Sequence, residues 1–165
     1  MSNTEQYLKE AFAGESQANR KYLAFAAAAD KEGYPQAARL FRAAAEAETV
    51  HAHNHLRVLK GIGTTKENLT QAVAGETHEF RSMYPEMIEV AKAEGNADAE
   101  RSFNFANEVE KVHARLYQKL LDNIDTSRES YSYYVCPVCG YTAEGIPPDN
   151  CPICGTKGKM FKEIN

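Results

Sequence analysis

RLFRAAAEAETVHA at residues 39–52 and RSFNFANEVEKVHA at residues 101–114 are one helical phrase written twice. Arg39, Phe41, Ala44, Glu46, Glu48, His51 and Ala52 recur as Arg101, Phe103, Ala106, Glu108, Glu110, His113 and Ala114, at an offset of 62. Upstream, Ala13-Gly14-Glu15-Ser16 recurs as Ala74-Gly75-Glu76-Thr77 at an offset of 61, which implies one residue inserted in a turn. With Val50 and Val112 also alike, eight identities in fourteen positions, Glu and His among them, exceed what shared helix composition explains. The region therefore reads as two copies of a helical hairpin, each with a Glu on its first helix and Glu-x-x-His on its second.

Working outward, residues 3–124 read as four long helices rich in Ala, Glu, Lys, Leu and Arg. The breaks fall at Gly33-Tyr34-Pro35, Gly61-Ile62-Gly63-Thr64 and Gly95-Asn96. Thr64 followed by Glu67 has capping-box spacing, so the third helix is expected to start there. Connections this short make successive helices antiparallel neighbours, and the expected architecture is an all-α four-helix bundle. Pro85 falls inside the third helix, where a proline removes a hydrogen bond and clashes with the preceding turn, so a kink or local unwinding is expected there.

Carboxylates lie on the apolar stripes of all four helices. Helix two presents Ala37, Phe41, Ala44, Glu48, His51 and Val58 at helical spacing, and helix four presents Phe103, Ala106, Glu110, His113, Tyr117 and Leu120. Helix three gives Leu69, Ala72, Glu76, Glu79, Met83 and Met87, and helix one gives Leu8, Phe12, Glu15, Tyr22 and Ala26. Burying an unpaired carboxylate costs several kcal/mol, and no matching set of Lys or Arg shares these stripes. A single Glu-x-x-His is commonly an accident of a solvated helix face. Two matched copies, each with an upstream Glu, point instead to divalent metal as the counter-charge. One Glu from each of two helices and Glu-x-x-His from each of the other two is the ligand set of carboxylate-bridged di-iron bundles.

The 165 residues carry 23 acidic and 19 basic side chains, a formal charge of −4, which argues against a nucleic-acid binder. No apolar run is long enough to span a bilayer, so no membrane association is expected. MSNTEQYLKEAF lacks the basic and apolar regions of a secretory signal, and a cytoplasmic location is expected. All four cysteines lie in the last 30 residues, a local cluster that indicates metal rather than a disulfide scaffold. The polar stretch DTSRESYSYY (125–134) has no helical periodicity. The expected division is a bundle over 1–126, a linker over 127–134 and a compact module over 135–165.

In that module, Cys136-Pro-Val-Cys139-Gly and Cys151-Pro-Ile-Cys154-Gly form two knuckles separated by eleven residues. Gly140 and Gly155 can adopt the positive φ that turns backbone N–H groups toward sulfur. A tetrahedral set of four sulfurs holds zinc or iron, and spacing alone does not choose between them.

These features together resemble the rubrerythrins over essentially the whole chain. The matching segments are AGES and AGET, the two Glu-x-x-His pairs, the MYP tripeptide at 83–85, and the rubredoxin-like CPVCGY with CPICG. The resemblance implies a ferritin-like di-iron bundle followed by a rubredoxin-like domain. Its ligands would be Glu15, Glu48, His51, Glu76, Glu79, Glu110 and His113 for the two irons, with Cys136, Cys139, Cys151 and Cys154 holding a third. Glu48 and Glu110 would bridge. Glu15 would be terminal on one iron, and Glu76 and His113 on the other. Glu79 falls opposite Ala18 in the repeat and is the carboxylate that ferritins lack; it would hold the first iron when oxidised, and His51 when reduced. Neutral His51 balances the charge of two ferrous ions against four carboxylates, and anionic Glu79 offsets part of the charge that oxidation adds. Tyr22 and Tyr84 match tyrosines that hydrogen-bond the ligand carboxylates. His53, His55 and His78 have no counterpart among the ligands and are taken as structural.

The implied activity is a peroxidase that reduces hydrogen peroxide to water in oxidative-stress defence, with electrons relayed through the four-cysteine iron and Glu79 as a candidate proton source. No Gly-rich dinucleotide fingerprint follows a strand, so the electrons would come from a separate NAD(P)H-linked reductase. A homodimer or higher homo-oligomer is expected from the family. A ferroxidase or iron-handling protein would leave Glu79 and the tail without a use. An oxygen-reducing oxidase would use the same residues. A non-enzymatic protein with a structural zinc ribbon would be colourless, whereas a ferric four-cysteine site is red; heterologous expression can load zinc into that site. Five of the acidic residues are thereby assigned to metal, so −4 overstates the negative charge of the loaded protein.

Overall fold

A computed structural model describes residues 2–165 as two compact units, the first ending at Gly63 and the second running from Thr64 to Asn165. No described helix is long and apolar enough to cross a membrane.

The first unit is a helical hairpin of α1 (Asn3–Glu32) and α2 (Pro35–Val58). The Ser2 side chain accepts from the Glu5 N–H to cap α1, and Gly33, at φ 83°, ends it in the left-handed region. Pro35 follows in the first turn of α2, where its fixed φ suits a helix start. The tightest contacts between the two helices run through small residues: Ala26 and Ala29 on α1, and Ala38, Ala45 and Ala52 on α2, all buried. The alanines of α2 recur at seven-residue steps, which keeps them on one seam. This seam lies one position beside the expected Ala37–Phe41–Ala44 stripe, because closest approach of two backbones selects methyl groups over rings. Asn19 is buried in the same seam and donates from Nδ2 to the Ala45 carbonyl at 2.7 Å and to Thr49 Oγ1 at 2.8 Å.

The second unit opens with the expected capping box. Thr64 caps α3 (Thr65–His78) by accepting from the Glu67 N–H, while the Glu67 carboxylate accepts from the Thr64 N–H at 2.7 Å. A π-helical segment over Glu79–Met83 joins α3 to α4 (Tyr84–Ala93), and α5 (Ala97–Asn123) returns against both. The local unwinding expected at Pro85 is this segment, in which the Tyr84 N–H reaches back five residues to the Glu79 carbonyl. A widened turn relieves the clash of the proline ring with the carbonyl four residues earlier and absorbs one extra residue.

That extra residue corrects the expected place of the insertion. Tyr84 already stands 62 residues after Tyr22, and Gly95 stands 62 after Gly33, whereas Thr77 stands 61 after Ser16. The shift therefore occurs between Thr77 and Tyr84, inside the helix and not in a turn. A helix can accommodate one added residue as a π turn without losing its axis.

The tail is a three-stranded antiparallel sheet in the order β2-β1-β3, formed by β1 (Tyr133–Val135), β2 (Thr142–Glu144) and β3 (Lys162–Ile164). Val135 pairs with Thr142 on one side and with Lys162 on the other. Strands of three residues bury little beyond Cys136, Ala143 and Cys151, so the cysteines must supply the module's stability through metal. β2 packs along α5 within the same unit.

Candidate metal centres

The first unit brings Glu15 of α1 together with Glu48 and His51 of α2. His51 Nδ1 lies 2.9 Å from Glu48 Oε2 and 3.9 Å from Glu15 Oε1. The second unit repeats the set as Glu76 of α3 with Glu110 and His113 of α5. There, His113 Nδ1 lies 2.6 Å from Glu110 Oε2, and Glu76 shares a hydrogen bond with Glu110. In each triad the donor atoms lie within 4.8 Å of one another. The i, i+3 spacing of Glu-x-x-His explains this, since it stacks carboxylate and imidazole one turn apart on one face. Glu79, first residue of the π segment, stands outside the second triad.

The charges in the second unit are crowded. Burial pushes the Glu76 carboxyl up to about 7, and its hydrogen bond with ionised Glu110 adds to the effect. Burial likewise raises Glu79, assisted by the charge of Glu110. Burial opposes ionisation of Glu110 too, but the bond and charge of His113 outweigh it and hold that carboxyl low. His113 is correspondingly raised by Glu110. Three carboxylates that cannot all ionise comfortably, facing one imidazole, form a donor set short of positive charge. Hard oxygen donors with imidazole nitrogen suit iron.

Tyr22 and Tyr84 take equivalent places in the two copies. The Tyr22 ring lies 6.1 Å from Phe41, and Tyr84 lies 6.3 Å from Phe103, partners that are themselves repeat equivalents. Burial and the charges of Glu79, Glu110 and Glu76 raise the Tyr84 phenol, which places it in the carboxylates' field. His53, His55 and His78 belong to neither triad.

The four cysteines form a single cluster. Cys136 and Cys154 Sγ are 3.6 Å apart, and Cys139 and Cys151 Sγ are 3.4 Å apart. A disulfide needs about 2.05 Å, whereas a tetrahedral metal with bonds of about 2.3 Å sets sulfurs about 3.8 Å apart. The cluster fits the metal. The knuckles share one hydrogen-bond pattern: Gly140 N–H to the Cys136 carbonyl and Cys136 N–H to that of Tyr141 in the first, Gly155 to Cys151 and Cys151 to Thr156 in the second. Gly140 and Gly155 have φ of 84° and 77°, as their positions after the second cysteine require. Burial raises the Cys139 thiol. Burial also opposes ionisation of Cys154, but the Thr156 hydroxyl and N–H and the neighbouring thiols hold it down at about 6.

Sequence reasoning passed over three residues of these centres. Thr156 bonds Cys154 Sγ through Oγ1 at 3.1 Å. Gly158 sits so close to the Pro148–Asp149 backbone that no side chain fits. Thr142 bonds the far nitrogen of His113 at 3.0 Å. Only Thr156, two residues beyond a knuckle cysteine, had a local signal.

The chain matches the Rubrerythrin family over residues 6–121 and the rubredoxin-like domain of rubrerythrin over residues 134–162. It is 38% identical to Rubrerythrin-2 of Clostridium acetobutylicum, over 96% of this chain and 95% of that one. It is 36% identical to nigerythrin of Nitratidesulfovibrio vulgaris, over 93% of this chain and 83% of the other. A solved structure of nigerythrin in a partially reduced state matches with a TM-score of 0.61 at 34% identity, covering 99% of this chain and 88% of that one. The expected fold class, an all-α ferritin-like region of four helices followed by a small four-cysteine rubredoxin-like domain, is the one observed. By its duplicated Glu-x-x-His hairpins, its four-cysteine tail and these matches, the chain belongs to the rubrerythrin family.

Proposed function

We propose that the chain is a peroxidase that reduces hydrogen peroxide to two waters, consuming two electrons and two protons. The observation that carries this reading is the pairing, in one chain, of two matched carboxylate–histidine triads with a separate four-sulfur cluster. A relative described in an all-ferrous state supports iron as the metal. When bound, a carboxylate-bridged iron pair supplies two electrons and stabilises the charge that develops as the O–O bond breaks, and the four-cysteine iron returns electrons singly.

The residues divide the remaining work. Glu48 and Glu110 would bridge the two metals, Glu15, Glu76 and His113 would hold them terminally, and His51 and Glu79 would alternate as ligands. Glu79 opens the π-helical segment between α3 and α4, which departs from α-helical geometry and gives its backbone room to adjust. Burial and the charge of Glu110 raise its pKa, which favours the protonated form and makes it a candidate to give a proton to a leaving oxygen. Tyr22 and Tyr84, packed on Phe41 and Phe103, would orient carboxylates and exclude water.

The chain would draw electrons from a separate NAD(P)H-linked reductase and act as a cytoplasmic homodimer or higher homo-oligomer. Replacing Glu110 with Ala tests the assignment. Peroxide turnover should fall to background while the red spectrum of the ferric four-cysteine site persists. Full turnover in that variant would refute the di-iron reading, and faster turnover of wild type with O2 than with peroxide would reassign the oxidant.

A further inference from the structure

The two triads are alike in donor set and differ on their outer sides. No described residue bonds the far ring nitrogen of His51. His113 Nε2, by contrast, lies 3.0 Å from Thr142 Oγ1, and that hydroxyl lies 3.2 Å from the Gly140 carbonyl oxygen. We propose that Thr142 is a positioning residue whose hydroxyl carries a hydrogen bond from His113 Nε2–H to the Gly140 carbonyl, holding the imidazole with Nδ1 bare toward Glu110 and coupling the Cys139 knuckle to the triad. This rests on the reading of both centres as redox metal sites.

The direction of the two bonds follows from the groups themselves. A carbonyl can only accept, so the single hydroxyl proton of Thr142 goes to Gly140. The hydroxyl must then accept from the ring, which places a proton on Nε2 and leaves the Nδ1 lone pair for a metal. Nδ1 is the nitrogen 2.6 Å from Glu110 Oε2. A metal-bound histidine whose other N–H is held by a protein acceptor has its tautomer and ring orientation fixed.

The strand that carries Thr142 is itself held in register with α5. Lys119 Nζ bonds both oxygens of Glu144 at 3.0 and 2.9 Å, and Tyr131 donates to the same carboxylate at 2.7 Å. Six residues of helix from His113 to Lys119 rise about 9 Å, and two residues of strand from Thr142 to Glu144 rise about 7 Å, so both bonds can form along one line. At the other end, Gly140 faces Val109, one turn before His113 on α5. Gly140 is peptide-bonded to Cys139. The route from that sulfur to the His113 ring therefore crosses covalent bonds and two hydrogen bonds, with no gap through space. An electron leaving the four-cysteine centre for the triad of the same unit has this path.

Two substitutions separate the hydroxyl from the shape of the side chain. Thr142→Val keeps the branched strand-forming shape and loses both hydrogen bonds; Thr142→Ser keeps the hydroxyl. Iron-loaded protein is fully reduced, mixed with peroxide in a stopped-flow instrument, and the return of the red absorption of the ferric four-cysteine site is timed. The second readout is the His113 Nε2–H resonance in zinc-loaded, 15N-histidine-labelled protein. Thr142→Val should slow the return of colour at least tenfold and shift or broaden the resonance, while Thr142→Ser should stay within about threefold of wild type with the resonance retained. Wild-type speed and an unchanged resonance in Thr142→Val would overturn the proposal. Equal slowing by both variants would overturn it as well, because the hydroxyl would then not matter. Wild-type protein that never regains colour with peroxide would refute the peroxidase reading instead, and the resonance would still decide on Thr142.

Discussion

Gly158→Ala should empty the four-cysteine site more effectively than any substitution at a knuckle glycine. Gly158 is buried, and its N–H donates to the Asp149 carbonyl at 2.8 Å. A Cβ there would overlap the Pro148 carbonyl oxygen, with the Pro148 carbonyl carbon 3.0 Å away and the Asp149 oxygen 3.4 Å away. All three are backbone atoms, so no side chain can swing aside. The loop from Pro148 must move instead, and it leads within three residues to Cys151. Overpacking of this kind costs about 3 kcal/mol at the upper end of its usual range. Folding of so small a module is coupled to metal binding, so the cost should appear as metal affinity weakened about a hundredfold. Gly155→Ala is the comparison. Its φ of 77° strains an alanine, but nothing lies within 4 Å of the new Cβ. The left-handed penalty of about 1–2 kcal/mol predicts roughly tenfold weakening there. Competition with a chelator, followed by loss of red absorbance in iron-loaded protein, measures both. Metal held as tightly by Gly158→Ala as by Gly155→Ala would refute the argument from backbone crowding.

Other expectations follow from individual contacts. Metal-free protein should lose stability as pH rises from about 5 to 8, because folding raises the Glu76 carboxyl to about 7 and raises His113, and both groups bind more protons folded than unfolded in that window. Glu110, held low, contributes in the opposite sense only below that window; denaturant melts across pH should flatten in Glu76→Gln, and an unchanged slope would contradict the assignment. Thr64→Ala removes one arm of the capping box and should cost about 1–2 kcal/mol, read as a lower midpoint for the second helical hairpin in hydrogen exchange. Asn19→Ala removes two hydrogen bonds but leaves the Ala45 carbonyl bonded to Thr49 Oγ1 at 3.1 Å, so denaturation should show a loss of only about 1–2 kcal/mol. Chelation of all metal should abolish the order of residues 133–164 while leaving the helical circular dichroism largely intact; loss of both together would mean that the helices depend on the metals.

The features legible in the sequence are those set by short-range periodicity. The spacing Glu-x-x-His puts both ligands on one helix face whatever packs against it, so Glu48 with His51 and Glu110 with His113 could be read directly. The CxxCG knuckles likewise need their glycines at positive φ for local reasons, and Gly140 and Gly155 adopt it. Thr64 and Glu67 announced a helix start because a capping box closes within four residues.

Where an element is decided by its neighbours, the sequence was a weaker guide. Pro85 signalled a disturbance, but only the folded helix shows it as a π turn that also holds the inserted residue and begins with Glu79. The seam of Ala38, Ala45 and Ala52 was hidden because alanine is compatible with every face of a helix, and only contact with α1 selects one. Thr142 and Gly158 carry no local signature. One matters through a helix 29 residues away in sequence, and the other through a loop that passes too close for a methyl group. The sequence by itself determined which Glu, His and Cys side chains stack together within a helix turn or a knuckle, because that spacing is a property of a few consecutive residues. Tertiary structure decided which nitrogen of His113 faces the carboxylates and which backbone faces its other side, because those depend on a strand laid against α5 by contacts that no local pattern encodes.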